Sequence, residues 1–142
     1  MQTSDVRRRV REILDRSKRA AADRHARGDE AARDFETFLT ATAVPLFQQI
    51  AQALRAERHM FTVFTPKAGV RLMSDRSRSD YIELVLDSSG PLPQVMGHTS
   101  RSRGRRVIEA EAPLAPGCGI PEISEEHVLA FVLQELESLI ER

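Results

Sequence analysis

Two short polar segments of this sequence contain arginines at a spacing that suits phosphate binding. They are Arg76 and Arg78 in the segment 75–80, and Arg101, Arg103, Arg105 and Arg106 in the segment 98–106. The planar guanidinium group donates paired hydrogen bonds to phosphate oxygens, and the serines between these arginines add hydroxyl donors. Two strands joined by a turn also fit the major groove of a nucleic acid. The pattern therefore suits a site for phosphate or nucleic acid.

The composition of the chain favours a plainer interpretation of the same arginines. The sequence has one tyrosine, no tryptophan and a net charge of zero, whereas dedicated nucleic-acid binders combine a basic surface with aromatic side chains. Arginine and serine are also ordinary residues of exposed turns. Glu109 and Glu111 follow in the sequence and are the internal partners expected for the arginines across the strands. Nucleic-acid binding through residues 98–106 is therefore the alternative hypothesis for this chain.

Glu109 and Glu111 are themselves spaced for chemistry, because residues two apart on a strand share one face. A pair of carboxylates can serve as general acid and base or can bind a hard metal ion. More often such a pair marks the solvent-facing side of a sheet, here together with Val107. His98 lies nearby but matches no metal-ligand spacing. We therefore expect a solvent-facing strand side rather than a catalytic or metal site.

Cys118, between Gly117 and Gly119, is the residue best suited to act as a nucleophile. Small neighbours would expose its sulfur, but no motif places a histidine beside it, and His127 stands nine residues further on. The sequence also contains no glycine-rich phosphate loop and no G-x-S-x-G, H-E-x-x-H or C-x-x-C motif. We predict no catalytic residue, metal or cofactor, and favour a non-catalytic protein over an enzyme.

The first part of the chain predicts two helices. The first begins near Thr3, and its narrow apolar stripe includes Val6, Val10 and Ile13. Gly28 followed by Asp29 predicts that this helix stops and a second one begins. We expect the second helix to span residues 29–54. Because Pro45 lies inside it, we expect either a kink there or a break after which the second half starts at Val44.

From His59 the hydrophobic period changes to two, which predicts antiparallel strands at 60–65, 70–74, 80–87, 93–98 and 105–112. We expect Ser100 to Arg105 to form the turn of the last hairpin. Ser124 then predicts the cap of a final helix whose wide apolar face includes Phe131 and Leu139. The predicted fold class is α+β, with two N-terminal helices, a four- to five-stranded antiparallel meander, and a C-terminal helix packed on one sheet face.

Length and charge set further limits. The 142 residues suit a single domain, 1–142, in which residues 1–27 form a polar helical arm. Residues 1–28 have a net charge of +5, from nine basic and four acidic residues, and residues 114–142 have a net charge of −5, from one and six. Such asymmetry indicates either an external polyanion or contact between the two ends of one or two chains. A single cysteine, a charged start and the lack of a long apolar run favour a cytoplasmic location without membrane contact.

The polar first helix points to a function, since so weak a stripe needs another surface to become stable. We expect a non-catalytic protein-interaction or regulatory protein that self-associates as a homodimer and binds a protein partner. The residues expected at its contact surfaces are Val6, Val10, Ile13, Phe131 and Leu139. Nucleic-acid binding through the six arginines remains the alternative.

Overall fold

A computed structural model describes residues 1–141 as a layer of helices on one side of a five-stranded antiparallel sheet. The elements are α1 (Thr3–Phe38), α2 (Val44–Ala56), β1 (Phe61–Phe64), β2 (Gly69–Ser74), β3 (Tyr81–Asp87), β4 (Gln94–Arg103), β5 (Arg106–Pro113) and α3 (Glu125–Ile140). A π-helical turn, Leu39–Ala43, joins α1 to α2, and a 3-10 turn, Ile120–Glu122, precedes α3. This α+β arrangement confirms the fold class predicted from the sequence.

The predicted helix break at Gly28 and Asp29 is wrong, because α1 runs through both residues as one helix of 36 residues. A single glycine inside a helix costs only about 1 kcal/mol relative to alanine. The residues around it are mostly good helix formers, and His25 Nε2 lies 3.5 Å from Asp29 Oδ2, one helical turn across the glycine. Local signals for a stop were therefore weaker than the tendency of the helix to continue.

Pro45 marks the boundary between α1 and α2, as the sequence predicts. The helical path changes to a π-turn over Leu39–Ala43, and α2 begins at Val44 with Pro45 in its first turn. A proline is tolerated there because the first turn of a helix needs no intrahelical amide donor. The backbone stays in the right-handed helical region throughout the junction, so the two helices are joined without a loop.

The sheet has the strand order β1-β2-β3-β4-β5, so every strand pairs with its neighbours in the chain. One side, here called the helix side, faces the helices. The core residues on that side are Val70, Leu72, Ile82, Leu84 and Val95. The other side, here called the open side, includes Tyr81, Glu83 and His98 and is only partly buried. The alternation in β3 was visible in the sequence, and the structure confirms it.

The hairpin of β4 and β5 differs from the prediction at its turn. We expected Ser100 to Arg105 to be the turn, but β4 continues to Arg103, which pairs directly with Arg106. The turn is therefore only Gly104 and Arg105. Gly104 has a φ of +63°, a left-handed conformation that glycine adopts without a steric penalty. A glycine at the first central position suits a two-residue hairpin turn.

Helix α3 packs across the middle of the sheet. Ser124 caps its N-terminus, and Ile123 and Val128 both lie in the core, as the sequence predicts. Phe131 sits on Gly97 of β4, so closely that no side chain fits between them. Within residues 1–141, no helix has the length and apolar character needed to cross a lipid bilayer.

Candidate functional site

All six predicted arginines lie at one end of the sheet, here called the arginine end. The β2–β3 turn contains Arg76 and Arg78, and the β4–β5 hairpin contains the others. Asp80, only 2% exposed, connects the two turns. Its Oδ1 accepts hydrogen bonds from Ser102 N at 2.7 Å and Ser102 Oγ at 3.0 Å, and Ser74 N donates to its carbonyl at 2.9 Å. The fold thus brings together two arginine segments that are more than twenty residues apart.

One of these arginines, Arg103, is engaged within the chain, and Arg101 is half-buried. Arg103 donates from Nη1 to the carbonyl oxygen of Glu141 at 3.1 Å and from Nη2 to that of Ser138 at 3.4 Å. These carbonyls end α3, where a cation is favoured by the helix dipole. Arg101 lines a small cavity of about 100 Å³ beside Glu135 and Ser138. Sequence patterns did not indicate the capping role of Arg103, since it depends on how α3 lies over the sheet.

Five of the predicted arginines are exposed at this end: Arg103, which donates to α3, and Arg76, Arg78, Arg105 and Arg106. Arg76 also lines a groove of about 390 Å³ together with Arg58 and His59. Neither Arg58 nor His59 was predicted from the sequence, because both follow α2 rather than a strand. The groove adds the side chains of Arg58 and His59, and the carboxylate of Asp75, to a region that already contains most of the exposed arginines of the sheet. This surface can attract anions electrostatically.

Glu109 and Glu111 lie on the open side of β5, as expected from their spacing. Their expected pairing with the arginines is not what the structure shows for Glu111, whose Oε2 lies 3.0 Å from His98 Nε2. Glu109 stands opposite Ser100. The register places Arg101, Arg103 and Arg106 on the helix side of the hairpin, so Glu111 on the open side pairs with His98 directly across from it. The arginine end is therefore not neutralised by this pair.

A row of charged residues crosses the open side from β2 to β5. Arg71 stands opposite Glu83, Glu83 opposite His98, and His98 opposite Glu111. Arg71 Nε donates to Glu83 Oε2, and its guanidinium carbon lies 4.0 Å from the centre of the Tyr81 ring. This row was not predicted from the sequence, because it exists only once four strands are in register. Its members are paired with one another, and this favours a role in strand pairing.

Cys118 lies partly buried against the core, after Gly117 at a φ of +80°. His127 is engaged elsewhere, since its Nδ1 accepts a hydrogen bond from Ser124 N at 3.0 Å in the cap of α3. The described residues, 1–141, include no group of three or more His, Cys, Asp or Glu side chains placed to hold a metal ion. The structure does not bring together a nucleophile and a base at Cys118 in any contact it records.

The N-terminal half of α1 stands apart from the rest of the chain. Residues 1–27, the arm predicted from the sequence, are exposed except for Asp5, which is half-buried. Val6, Val10 and Ile13 are 45%, 50% and 60% exposed. Val10 and Leu14 share a face with the residues that dock the other half of α1 onto the core, since positions 10, 14, 17, 21, 24, 28, 31, 35 and 38 follow one another at spacings of four and three. Val6 and Ile13 lie within one helical turn of this series. At 31, 35 and 38 this face is buried.

The two residues of α3 that we expected at a contact surface differ in how deeply they are buried. Leu139 is 7% exposed and belongs to the core. Phe131 is half-buried and covers Gly97. Both side chains are thus used largely in packing within the chain, because the wide apolar face of α3 covers the sheet. Leu133 and Ile140 are the exposed apolar residues of this helix, and the width of the face alone could not separate them from the core positions.

Comparison with known proteins supplies no family for this chain. No protein-family model matches the sequence, and neither curated proteins nor solved structures gave a significant match.

Proposed function

We propose that this chain is a non-catalytic interaction or regulatory protein of the cytoplasm that works as a homodimer, with the arm of α1 as its contact element. The observation that supports this proposal is the exposed apolar face of residues 1–27. It continues the face that α1 buries at Ala31, Phe35 and Phe38. The same face of the helix is therefore buried at one end and exposed at the other, with Ser17, Arg24 and Gly28 on it between the two apolar parts.

The arm needs a partner surface to cover its exposed apolar stripe. The arm of about 25 residues is roughly 38 Å long at 1.5 Å per residue. A helix without tertiary packing is marginally stable in water, and most helix stability in proteins comes from burying an apolar face. Burying one Val, Leu or Ile side chain contributes about 1.5–3 kcal/mol. Contact with another surface through Val10, Ile13 and Leu14 would stabilise the arm by several such increments.

The test is the oligomeric state of the full chain and of a variant that removes the stripe without changing charge. Val10→Gln with Ile13→Gln keeps residues that favour helix formation. We expect a dimer for the native chain by analytical ultracentrifugation and a shift towards monomer for the double variant. Ala22→Gln, on the opposite face of the arm, is the matched control and should remain a dimer. A native chain that stays monomeric at high concentration would remove the proposal.

The second candidate function is binding of nucleic acid or another polyanion at the arginine end. The exposed arginines of the two turns and the nearby Arg58 and His59 favour it, since none of Arg76, Arg78, Arg105 and Arg106 is buried. Phosphate contacts of this kind give affinity without sequence preference. Binding would therefore be strongly dependent on salt.

Salt dependence also provides the test of this second function. Each phosphate contact adds roughly 0.9 to the slope of log affinity against log salt for duplex DNA. Arg105→Ala with Arg106→Ala should lower the affinity for a duplex oligonucleotide and reduce that slope by up to about 2. Arg8→Ala with Arg19→Ala, on the arm, removes the same charge and is the control. No binding at low salt, or an equal effect of both variants, would exclude the arginine end as the site.

A further inference from the structure

The helix side of β5 is left uncovered by the fold. Helix α2 lies against β1 and β2, and α3 lies against β3 and β4. Neighbouring helices pack about 8–10 Å apart, and strands about 4.8 Å apart, so two helices cover roughly four strands. The fifth strand then extends beyond the helical layer. All eight residues of β5 are exposed.

The register identifies which residues of β5 face the helical layer. Ala112 stands opposite Gly97, which lies under Phe131 of α3. Ile108 is opposite Arg101 and therefore lies on this same side, with Ala110 between it and Ala112. The uncovered strip is thus Ile108, Ala110 and Ala112, with Arg106 on the same side at the end nearest the hairpin turn. We call this strip, together with the adjoining flank of α3, the β5 step.

The β5 step has the shape and chemistry of a helix-docking site. Its floor is apolar, and the two alanines would allow a helix backbone to approach closely. Its wall is formed by α3, where Glu135 and Ser138 line the small cavity that Ile108 and Ala110 also line. Glu135 places an acidic group beside the apolar floor, and Arg101 of β4 lines the same cavity. The segment that contains α3, residues 114–142, has a net charge of −5.

The arm of α1 has the complementary features. Its apolar stripe includes Val10, Ile13 and Leu14, and basic residues flank the stripe on both sides, with Arg11 and Lys18 on one side and Arg9 and Arg16 on the other. The net charge of residues 1–28 is +5. An apolar stripe bordered by cations suits an apolar floor bordered by an acidic helix. Two arms packed against each other would instead bring two charges of +5 together.

We infer that the arm of one copy lies in the β5 step of a second copy, and that the second arm docks in the same way onto the first. This inference rests on the proposed homodimer and names its contact surface. A two-fold dimer contains the contact twice. Each contact then needs only about half of the 1,200–2,000 Å² typical of a specific interface. The arm, about 38 Å long, is longer than the eight residues of β5, which span about 26 Å.

Adjacent residues of β5 provide a matched test. Ile108 is on the helix side and 39% exposed, whereas Val107 is on the open side and 53% exposed. Ile108→Gln should raise the dimer dissociation constant by about tenfold or more, equivalent to about 1.4 kcal/mol, and Val107→Gln should leave it within about twofold. Because both side chains are exposed in the single chain, neither substitution should unfold it. Equal effects of the two variants would overturn the inference.

Photo-crosslinking identifies the neighbour of the arm directly. With p-benzoylphenylalanine in place of Ile13, the inference predicts crosslinks between copies that map to residues 106–113 or to α3. Crosslinks from arm to arm would overturn it. If Val10→Gln with Ile13→Gln dissociates the dimer and Ile108→Gln does not, the β5 step is wrong and the arm-mediated dimer stands. A native chain that is monomeric contradicts both.

Discussion

Gly97 gives the sharpest prediction about how this fold is packed. It lies in β4 directly under Phe131 of α3, and a Cβ added there would lie 2.2 Å from Cζ of the ring and 2.6 and 2.8 Å from its two Cε atoms. Atoms of side chains do not approach so closely, and the ring itself is held between helix and sheet. Gly97→Ala must therefore displace Phe131, or α3 with it.

The size of the effect follows from the clash. Adding a methyl group to a well-packed core typically costs about 1–3 kcal/mol. For a chain of this length, 1 kcal/mol changes the melting temperature by roughly 3–5 °C. Gly97→Ala should thus lower the free energy of unfolding by about 1–3 kcal/mol. Gly90→Ala, whose new Cβ would come no closer than 3.9 Å to Leu92 O, should change it by less than about 0.5 kcal/mol.

A double-mutant cycle in urea, followed by circular dichroism, is the appropriate assay. Phe131→Ala removes the ring that the new methyl group would contact. In that background Gly97→Ala should cost less than about 0.5 kcal/mol, so the coupling between the two sites should be about 1 kcal/mol or more. Equal costs of Gly97→Ala with and without Phe131 would refute the reasoning.

Three further predictions concern polar contacts. Asp80→Ala should lower the free energy of unfolding by about 2–3 kcal/mol in urea titration, because a buried carboxylate that accepts two hydrogen bonds from Ser102 is lost. Arg103→Ala should loosen the last turn of α3 by about 0.5–1 kcal/mol, seen as faster amide hydrogen exchange near its C-terminus. Ser89→Ala should raise the pKa of Asp87 in an NMR titration, because the Ser89 hydroxyl and then its N–H hold that pKa below the ordinary value. The contribution of Asp87 to stability is therefore present at neutral pH and is lost as the pH falls through its lowered pKa.

Local sequence signals predicted the elements well where one residue type decides the geometry. Pro45 fixed the start of α2, Ser124 fixed the cap of α3, and the alternation of Ile82 and Leu84 with polar residues identified a strand with one buried face. In each case the reason is a property of single residues, such as a missing amide donor or a side chain that accepts a hydrogen bond.

The errors arose where the outcome depends on contacts between distant residues. Gly28 would end the helix only if the turn after it made no packing contacts. Here Ala31 and Phe35 are buried in the core, and their packing stabilises the continued helix. The strand β4 continues to Arg103 because β5 pairs with it and Asp80 accepts from Ser102. The row from Arg71 to Glu111 joins four strands. None of these interactions leaves a pattern within a short window of sequence.

The two candidate functions rest on different sets of residues, so they can be separated, although Arg106 lies on the helix side of β5 together with Ile108. The arm leaves the core where the end of α1 lines a groove with Pro66 and Leu86, at the end of the sheet opposite Gly104. Docking of the arm in the β5 step would neutralise its charge against α3 and leave the exposed arginines beside Gly104 free. Ile108→Gln should therefore weaken the dimer without changing the salt slope of polyanion binding. Arg105→Ala with Arg106→Ala should do the reverse. If Ile108→Gln changes both the dimer affinity and the salt slope of polyanion binding, the arm and the arginine end act on one ligand. The opposite charges that cancel in the net charge of the chain then serve that single interaction.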